Sequence, residues 1–163
     1  MKIINYIIVC LFIMHCNSQS PEALWGKAKL MQSKDNLKES IINLELIIKD
    51  YPDHDLASKS QFQIADIYLN EIKEFDLAID KFKIVIDKYP AHDVAKNSLF
   101  MIAYIYNNYL NSYTDAINNY KLFMDRYPND ELIPSVEYEL KGLFEIEGVI
   151  DSLNSVVSKK GNT

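Results

Sequence analysis

The chain has 163 residues, of which 48% are hydrophobic and 25% charged, values that fit one ordinary globular domain. Its few glycines (4) and prolines (5) argue against a turn-rich β-sandwich or a disordered linker protein. The formal net charge of −6, with no basic run longer than Lys159-Lys160, argues against nucleic-acid binding, which needs a concentrated lysine and arginine surface.

The N-terminal segment differs from the rest of the chain. Residues 3–14 read IINYIIVCLFIM and carry no charge. As a helix these residues would extend about 18 Å, which is short of the roughly 30 Å hydrocarbon core of a bilayer. The pattern therefore favours the core of a secretory signal over a membrane span. Cys10 lies inside this run, whereas Cys16 lies where the run gives way to polar residues.

This boundary resembles the processing site of bacterial lipoproteins, in which the signal is removed just before a cysteine that carries the lipid. The resemblance implies a signal peptide over residues 1–16, lipidation of Cys16 and a short tether over residues 17–20. The family prefers a small residue before the cysteine, and His15 departs from that preference. Two alternatives stay open: an uncleaved signal-like anchor, and a soluble cytoplasmic protein.

A repeat follows the N-terminal segment. The dipeptide Tyr-Pro occurs at residues 51–52, 89–90 and 127–128, with a spacing of 38 each time. Residues 51–88 and 89–126 align without gaps and are identical at more than a third of their positions. A fixed period of this length indicates a stack of similar supersecondary units.

Each unit is predicted to contain two helices. Residues 55–70 and 75–88 both place apolar side chains at helical spacing. Asp55 and Asp93 are expected to cap the first helices of their units through their carboxylates. Proline cannot continue a helix, so Pro52, Pro90 and Pro128 are expected to close the second helices.

These positions resemble the tetratricopeptide repeat. Its pattern of small, aromatic, small, aromatic and closing proline residues is found at Ala65, Tyr68, Ala78, Phe82 and Pro90, and again at Ala103, Tyr106, Ala116, Tyr120 and Pro128. A more divergent copy is found at Ala28, Met31, Ser40, Leu44 and Pro52. The later copies carry one extra residue between their two small positions.

The resemblance implies an all-α protein, a right-handed α-solenoid of antiparallel helix pairs. The expected repeats are 21–52, 53–90 and 91–128, followed by a capping helix from residue 131 and by a closing helix and polar tail over 147–163. The Tyr-Pro ending with its 38-residue period resembles an envelope subset of the family. That subset includes the BamD-type lipoproteins of outer-membrane β-barrel assembly and the coordinator of the Tol–Pal system.

In this family the first helices line a concave, partner-binding surface. Carried over to this sequence, that surface would hold Trp25, Lys29, Phe62, Asp66, Asn70, Phe100, Tyr104, Asn107, Asn108 and Tyr138. Aromatic rings offer contact area and amides can pair with a peptide backbone. The alternative is that the aromatic residues only pack helix against helix. Tyr104 with Asn107 and Asn108 is the strongest group, because Tyr104 and Asn107 break the repeat.

The sequence has no arrangement typical of catalysis or of metal binding. His54 and His92 are one repeat apart, too far for a shared metal ion, and a turn role is expected for both. We therefore expect a non-enzymatic scaffold without a cofactor or small-molecule substrate, anchored by lipid in the cell envelope and binding a protein partner. Asn17, which is not the aspartate of inner-membrane retention, favours the outer membrane. A self-associating structural module and a cytoplasmic adaptor remain alternatives.

Overall fold

A computed structural model describes residues 19–160, and every regular element in this part of the chain is helical. The helices are α1 (Pro21–Ser33), α2 (Leu37–Asp50), α3 (Asp55–Ile67) with a π-helical turn (Tyr68–Ile72), α4 (Phe75–Lys88), α5 (Asp93–Asn108), α6 (Tyr113–Arg126) and α7 (Ile133–Lys160). The all-α prediction is confirmed. The predicted signal peptide, with Cys16, lies outside the described residues. None of the described helices combines the length and the apolar character that crossing a membrane requires.

The chain divides into two compact units, residues 1–57 and 58–163, and the boundary falls inside α3. In unit 1, α1 and α2 pack against each other as one helix pair. The buried residues of this pair include Leu24 and Ala28 on α1, and Leu44 and Ile47 on α2. Both helices begin at side-chain caps: Ser20 accepts a hydrogen bond from the Ala23 amide and Asn36 accepts one from the Glu39 amide.

In unit 2 the helices pack in chain order, and each second helix of a pair lies between two first helices. One core cluster contains Ala65 of α3 and Leu69 of the π-helical turn, together with Ala78, Ile79 and Phe82 of α4 and Ile102 and Ile105 of α5. The next joins Leu99 and Ala103 of α5, Ala116, Ile117, Tyr120 and Phe123 of α6, and Val136, Leu140 and Leu143 of α7. The alanines let the backbones approach closely, and the aromatic residues fill the space between them.

The first helices do not begin as the sequence analysis expected. The prediction that Asp93 caps α5 is wrong, because the cap is His92 and its side chain makes no capping hydrogen bond. The His92 amide donates to the Tyr89 carbonyl, so the turn closes one residue before Asp93. Asp93 is then the first helical residue, where its charge favours the helix dipole and pairs with Lys96. Asp55 likewise begins α3 and follows the same turn at His54.

The turn inside each helix pair contains one residue with left-handed backbone geometry. These residues are Asp35, Lys73 and Asn111, with φ of 59°, 63° and 51°, and they are spaced by 38 residues. Asparagine and aspartate tolerate this region, but lysine gains no local compensation there. The repeat therefore requires a left-handed residue at this position whatever side chain occupies it.

The extra residue of the later repeats lies at the end of the first helix. In unit 1 the Asn36 amide donates to the carbonyl five residues earlier, at Met31. In unit 2 the equivalent bonds span six residues, from Glu74 to Tyr68 and from Ser112 to Tyr106. After α3 the insertion widens the helix into the π-helical turn Tyr68–Ile72.

The last helix is longer than expected. A capping helix and a separate closing helix are expected from the sequence, but α7 runs unbroken for 28 residues. No proline follows Pro134 within it, and a single glycine such as Gly148 costs a helix only about 1 kcal/mol.

A polar contact recurs from repeat to repeat in unit 2. The Ser58 hydroxyl lies 3.2 Å from Nδ1 of His92, which is in the turn before α5. One repeat later, at the equivalent positions, Lys96 Nζ lies 2.8 Å from Oδ2 of Asp130 in the turn before α7. This contact holds the pKa of Asp130 below its usual value, first through the Lys96 hydrogen bond and then through the Leu132 amide. Each first helix is thus joined to the next turn, and the turn role expected for His92 has a structural counterpart.

Replacing Lys73 by glycine should stabilise the protein. Glycine relieves the left-handed strain but adds freedom to the unfolded chain, so the net gain expected is roughly 0.5–1 kcal/mol. The same change at Lys83, exposed in the middle of α4, should instead cost about 1 kcal/mol. Urea denaturation of both variants measures the difference, and equal destabilisation would contradict the role given to this turn.

The Lys96–Asp130 contact should make stability depend on pH. A lowered carboxyl pKa contributes stability that is present above the unfolded-state pKa and lost as pH falls through the folded-state pKa. Asp130→Asn should therefore lower Tm at neutral pH, and its Tm should converge with that of the parent in acid. Asp80→Asn, which breaks an exposed pair with Lys83, is the control and should change little. A deficit at Asp130 that is constant with pH would mean that the ion pair is not its cause.

Candidate partner-binding site

Two of the candidate residues belong to unit 1, on the exposed side of α1. Lys29 Nζ lies 5.9 Å from the ring centroid of Trp25, and it also donates to Gln32 at 3.2 Å. Trp25 is half-buried and Lys29 is exposed. The ammonium group is within cation–π range of the indole, and part of the indole surface is accessible.

The aromatic candidates of the first two pairs of unit 2 take part in packing. The ring of Phe62 meets Phe82 edge-on with centroids 5.2 Å apart. Phe100 meets Tyr120 and Phe123 in the same way, at 5.8 and 6.2 Å. Edge-to-face contacts of this kind stabilise the join between a first helix and its second helix. The packing alternative therefore accounts for both phenylalanines.

Beyond Phe100 a series of rings continues towards the surface. Phe100 and Tyr104 have centroids 6.5 Å apart, and Tyr104 and Tyr109 are 6.0 Å apart. Tyr109 in turn stacks on Phe75, at 4.5 Å, where α4 begins. Tyr104 is half-buried and Tyr109 is exposed, so the series ends in accessible tyrosine surface. Sequence reasoning did not select Tyr109 or Phe75.

The three candidate asparagines use a side-chain N–H internally. Asn70 donates to Oδ1 of Asp66 at 2.7 Å, and Asn108 donates to the Tyr104 carbonyl at 3.1 Å. Asn107 donates to Oε2 of Glu139, on α7, at 2.8 Å. Among the described residues no donor reaches the amide oxygen of any of the three. Hydrogen-bond acceptors are therefore what these amides present to a partner.

The Asn107–Glu139 pair replaces an apolar contact of the preceding repeat. Subtracting one period of 38 residues gives Leu69 and Met101, which pack in the same core cluster. A buried leucine and its methionine neighbour have thus become a half-buried amide and carboxylate. A buried or half-buried polar pair is at best a small gain in stability over well-packed apolar residues. The substitution therefore points to a use other than holding the helices together.

The surroundings of this pair favour positive charge. The Tyr120 side chain is fully buried, and among the described residues its hydroxyl has no hydrogen-bond partner. Burial raises the pKa of Tyr120, and the neighbouring Glu139 and Tyr104 raise it further. The half-buried Glu139 carboxylate gives this part of the surface a negative charge, which favours a partner group that carries positive charge or donates hydrogen bonds over an anion.

A cavity of about 290 Å³ opens beside the pair, and Tyr138, Gly142 and Glu145 form part of its wall. The cavity borders both Asn107 and Glu139, and it has room for one side chain of a partner protein. Tyr138 itself is 77% exposed and is not in ring contact with the other candidates in the described part of the chain. Within residues 19–160 no group of three histidine, cysteine or acidic side chains is arranged to hold a metal ion.

Comparison with protein families identifies the repeats. Residues 59–92 and 97–130 each match the family model of the tetratricopeptide repeat. These two segments are tetratricopeptide repeats. The prediction is thereby confirmed for the two central units, and with it a scaffold for protein–protein interaction, the role that such repeats support. A search among curated proteins finds no match to the chain.

The site residues that sequence reasoning missed could have been found from the same repeat. Glu139 stands where the preceding repeat has Met101, just as Asn107 stands where it has Leu69. Asn107 and Glu139 thus replace apolar residues at two positions 32 residues apart. Because this spacing is close to the 38-residue period, the two positions lie on neighbouring first helices. Tyr109 and Phe75 had no such signal, because their stacking depends on the geometry of the turns.

Proposed function

We propose that this protein is a non-enzymatic scaffold whose first-helix surface, at α5 and the adjacent part of α7, binds a segment of a partner protein. The surface consists of Tyr104, Asn107, Asn108, Tyr109 and Glu139, hereafter the α5 surface. The observation that carries the proposal is the Asn107–Glu139 pair, which replaces an apolar contact by polar groups beside accessible tyrosine rings.

The chemistry of the α5 surface indicates the kind of segment. Its amide and carboxylate oxygens accept hydrogen bonds, so a peptide backbone or side-chain N–H group complements them. The tyrosine rings attract a cation placed over their faces. A peptide or helix that presents a lysine or arginine meets both conditions, and the net charge of −6 favours its approach.

The cellular setting rests on the N-terminal sequence. Residues 3–14 have the length and apolar character of a signal core, and Cys16 follows at the boundary with polar residues. In this proposal Cys16 is lipidated and residues 17–20 tether the repeats to an envelope membrane. The repeats then face the periplasm, with the outer membrane favoured over the inner. The shared Tyr-Pro period suggests a relative of the barrel-assembly or Tol–Pal scaffolds with a partner of its own.

Crosslinking from the α5 surface tests the binding site. A photo-crosslinking residue in place of Tyr104, in the native host, should capture one envelope protein that the same residue at Asp80 does not. Asp80 is exposed on α4, outside the α5 surface. Raising the salt concentration should lower the yield, since the proposed partner segment is basic.

A matched variant separates binding from folding. Asn107→Leu with Glu139→Met copies the apolar pair of the preceding repeat, so its Tm should equal or exceed that of the parent. The Tyr104 crosslink should nevertheless disappear in this variant. Unchanged capture in a folded double variant, or the same proteins captured from Asp80, would contradict the proposed site.

Replacing the lipid-acceptor cysteine tests the anchor. Cys16→Ser should abolish incorporation of radiolabelled palmitate and move the protein from the membrane fraction, because one residue carries the acyl chains. Cys10→Ser is the control and should leave labelling and fractionation unchanged. If Cys16→Ser leaves both unchanged as well, the lipoprotein proposal is wrong and the cytoplasmic adaptor or the uncleaved anchor takes its place.

A further inference from the structure

The last helix, α7, is the first helix of a repeat whose second helix is missing from the described part of the chain. Val136, Leu140 and Leu143 are buried with α6. Ile102 and Ile105 of α5, the equivalents of Leu140 and Leu143, are buried with α4 in the same way. The other side of each preceding first helix packs against the second helix of its own pair, and Ala65 and Ala103 lie at these contacts. The equivalent residue of α7 is Lys141. This side of α7 packs against no other described helix.

The free side of α7 has a defined composition. We call it the end face, and it consists of Tyr138, Lys141, Gly142, Glu145, Gly148 and Val149. Tyr138 is 77% exposed and Val149 is 59% exposed. A side chain added at either glycine would meet no atom within 4 Å, so the surface beside each glycine is open. Solvent-exposed aromatic and aliphatic groups flanked by charges are typical of an interaction surface.

The charges of the end face are complementary to themselves in one orientation. Two copies of α7 can run antiparallel about a two-fold axis at residue 143. In this register Lys141 of each copy lies opposite Glu145 of the other copy, so the same pair of charges occurs twice. The same register places Tyr138 opposite Gly148 of the second copy, also twice, so that each ring lies over a residue without a side chain. A parallel arrangement without offset would instead place Lys141 against Lys141 and Glu145 against Glu145.

The end face borders an open hollow and carries two charges that form no ion pair in the described part of the chain. A hollow of about 470 Å³ is lined by Gly142, Glu145, Ile146 and Val149. It is large enough for a tyrosine ring entering from the second copy. Among the side chains that the structure describes, neither Lys141 nor Glu145 forms an ion pair within its own chain. Both charges are therefore available for an intermolecular pair.

We propose that two copies of this chain associate through their end faces as an antiparallel, two-fold symmetric dimer. A two-fold axis at the level of Leu143 generates every contact twice, which is the arrangement of an isologous interface. The second copy covers the side of α7 that corresponds to the side covered by a second helix in the preceding repeats. Tyr138 then belongs to the dimer contact, and the binding of a partner segment rests on the α5 surface.

Charge reversal tests the dimer and its register together. Lys141→Glu places a glutamate opposite Glu145 at both symmetric positions of the interface. Glu145→Lys places a lysine opposite Lys141 at both positions. Each single variant should raise the dimer Kd about tenfold or more. The double exchange of Lys141→Glu with Glu145→Lys restores opposite charges and should recover the dimer. The measurement is sedimentation equilibrium of the full chain, in mild detergent that keeps residues 3–14 from associating.

Mixing the two single variants provides the decisive comparison. One chain then carries two glutamates and the other two lysines, so that a heterodimer with both ion pairs should form where neither variant dimerises alone. Far-UV circular dichroism establishes that each variant remains helical. A parent chain that stays monomeric at every concentration, single variants that dimerise as tightly as the parent, or a mixture that stays monomeric would each overturn the proposal. Lys141 and Glu145 also line the cavity beside Asn107. Sedimentation of the chain without a partner therefore reports on the dimer alone, and the Tyr104 crosslink of the unchanged chain reports on the partner site.

Discussion

The structure of unit 2 depends on the burial of each second helix between two first helices. Phe82 of α4 packs with Ala65 and Leu69 on one side and with Ile102 and Ile105 on the other. Tyr120 and Phe123 of α6 repeat this arrangement between α5 and α7. A helix pair alone buries too little apolar surface to offset the entropy of ordering its residues, so each repeat relies on its neighbour. The polar contacts of Ser58 with His92 and of Lys96 with Asp130 act along the same joins.

This constraint also determines where function can be located. Positions that face a second helix must remain apolar, and those that face outwards are free. Asn107 and Glu139 depart from the rule at a position where the preceding repeat is apolar, and accessible tyrosine surface lies beside them. At α7 the rule ceases to apply, since no second helix follows in the described part of the chain. There the alanine position becomes Lys141, and the surface is free to contact another molecule.

Much of the fold follows from the sequence, because a 38-residue period and its alanine and aromatic positions constrain how the helices can pack. The strongest candidates, Tyr104 and Asn107, were found as interruptions of that period. Other features depend on backbone geometry that side-chain patterns do not encode. The N-cap position of α5 is His92 and not Asp93, because the preceding turn closes one residue before Asp93. The stacking of Tyr109 on Phe75 follows from the π-helical turn and the left-handed Lys73.

Hydrogen exchange in a chain that ends at Asp130 tests most directly whether the repeats depend on one another. This chain keeps α6 intact but lacks α7, which leaves Tyr120 and Phe123 with one first helix only. We expect amides of α6 to lose most of their protection, while amides of α4, still enclosed by α3 and α5, keep theirs. Undiminished protection in α6 would show that a second helix is stable with one first helix beside it, and would contradict the dependence of each repeat on its neighbour.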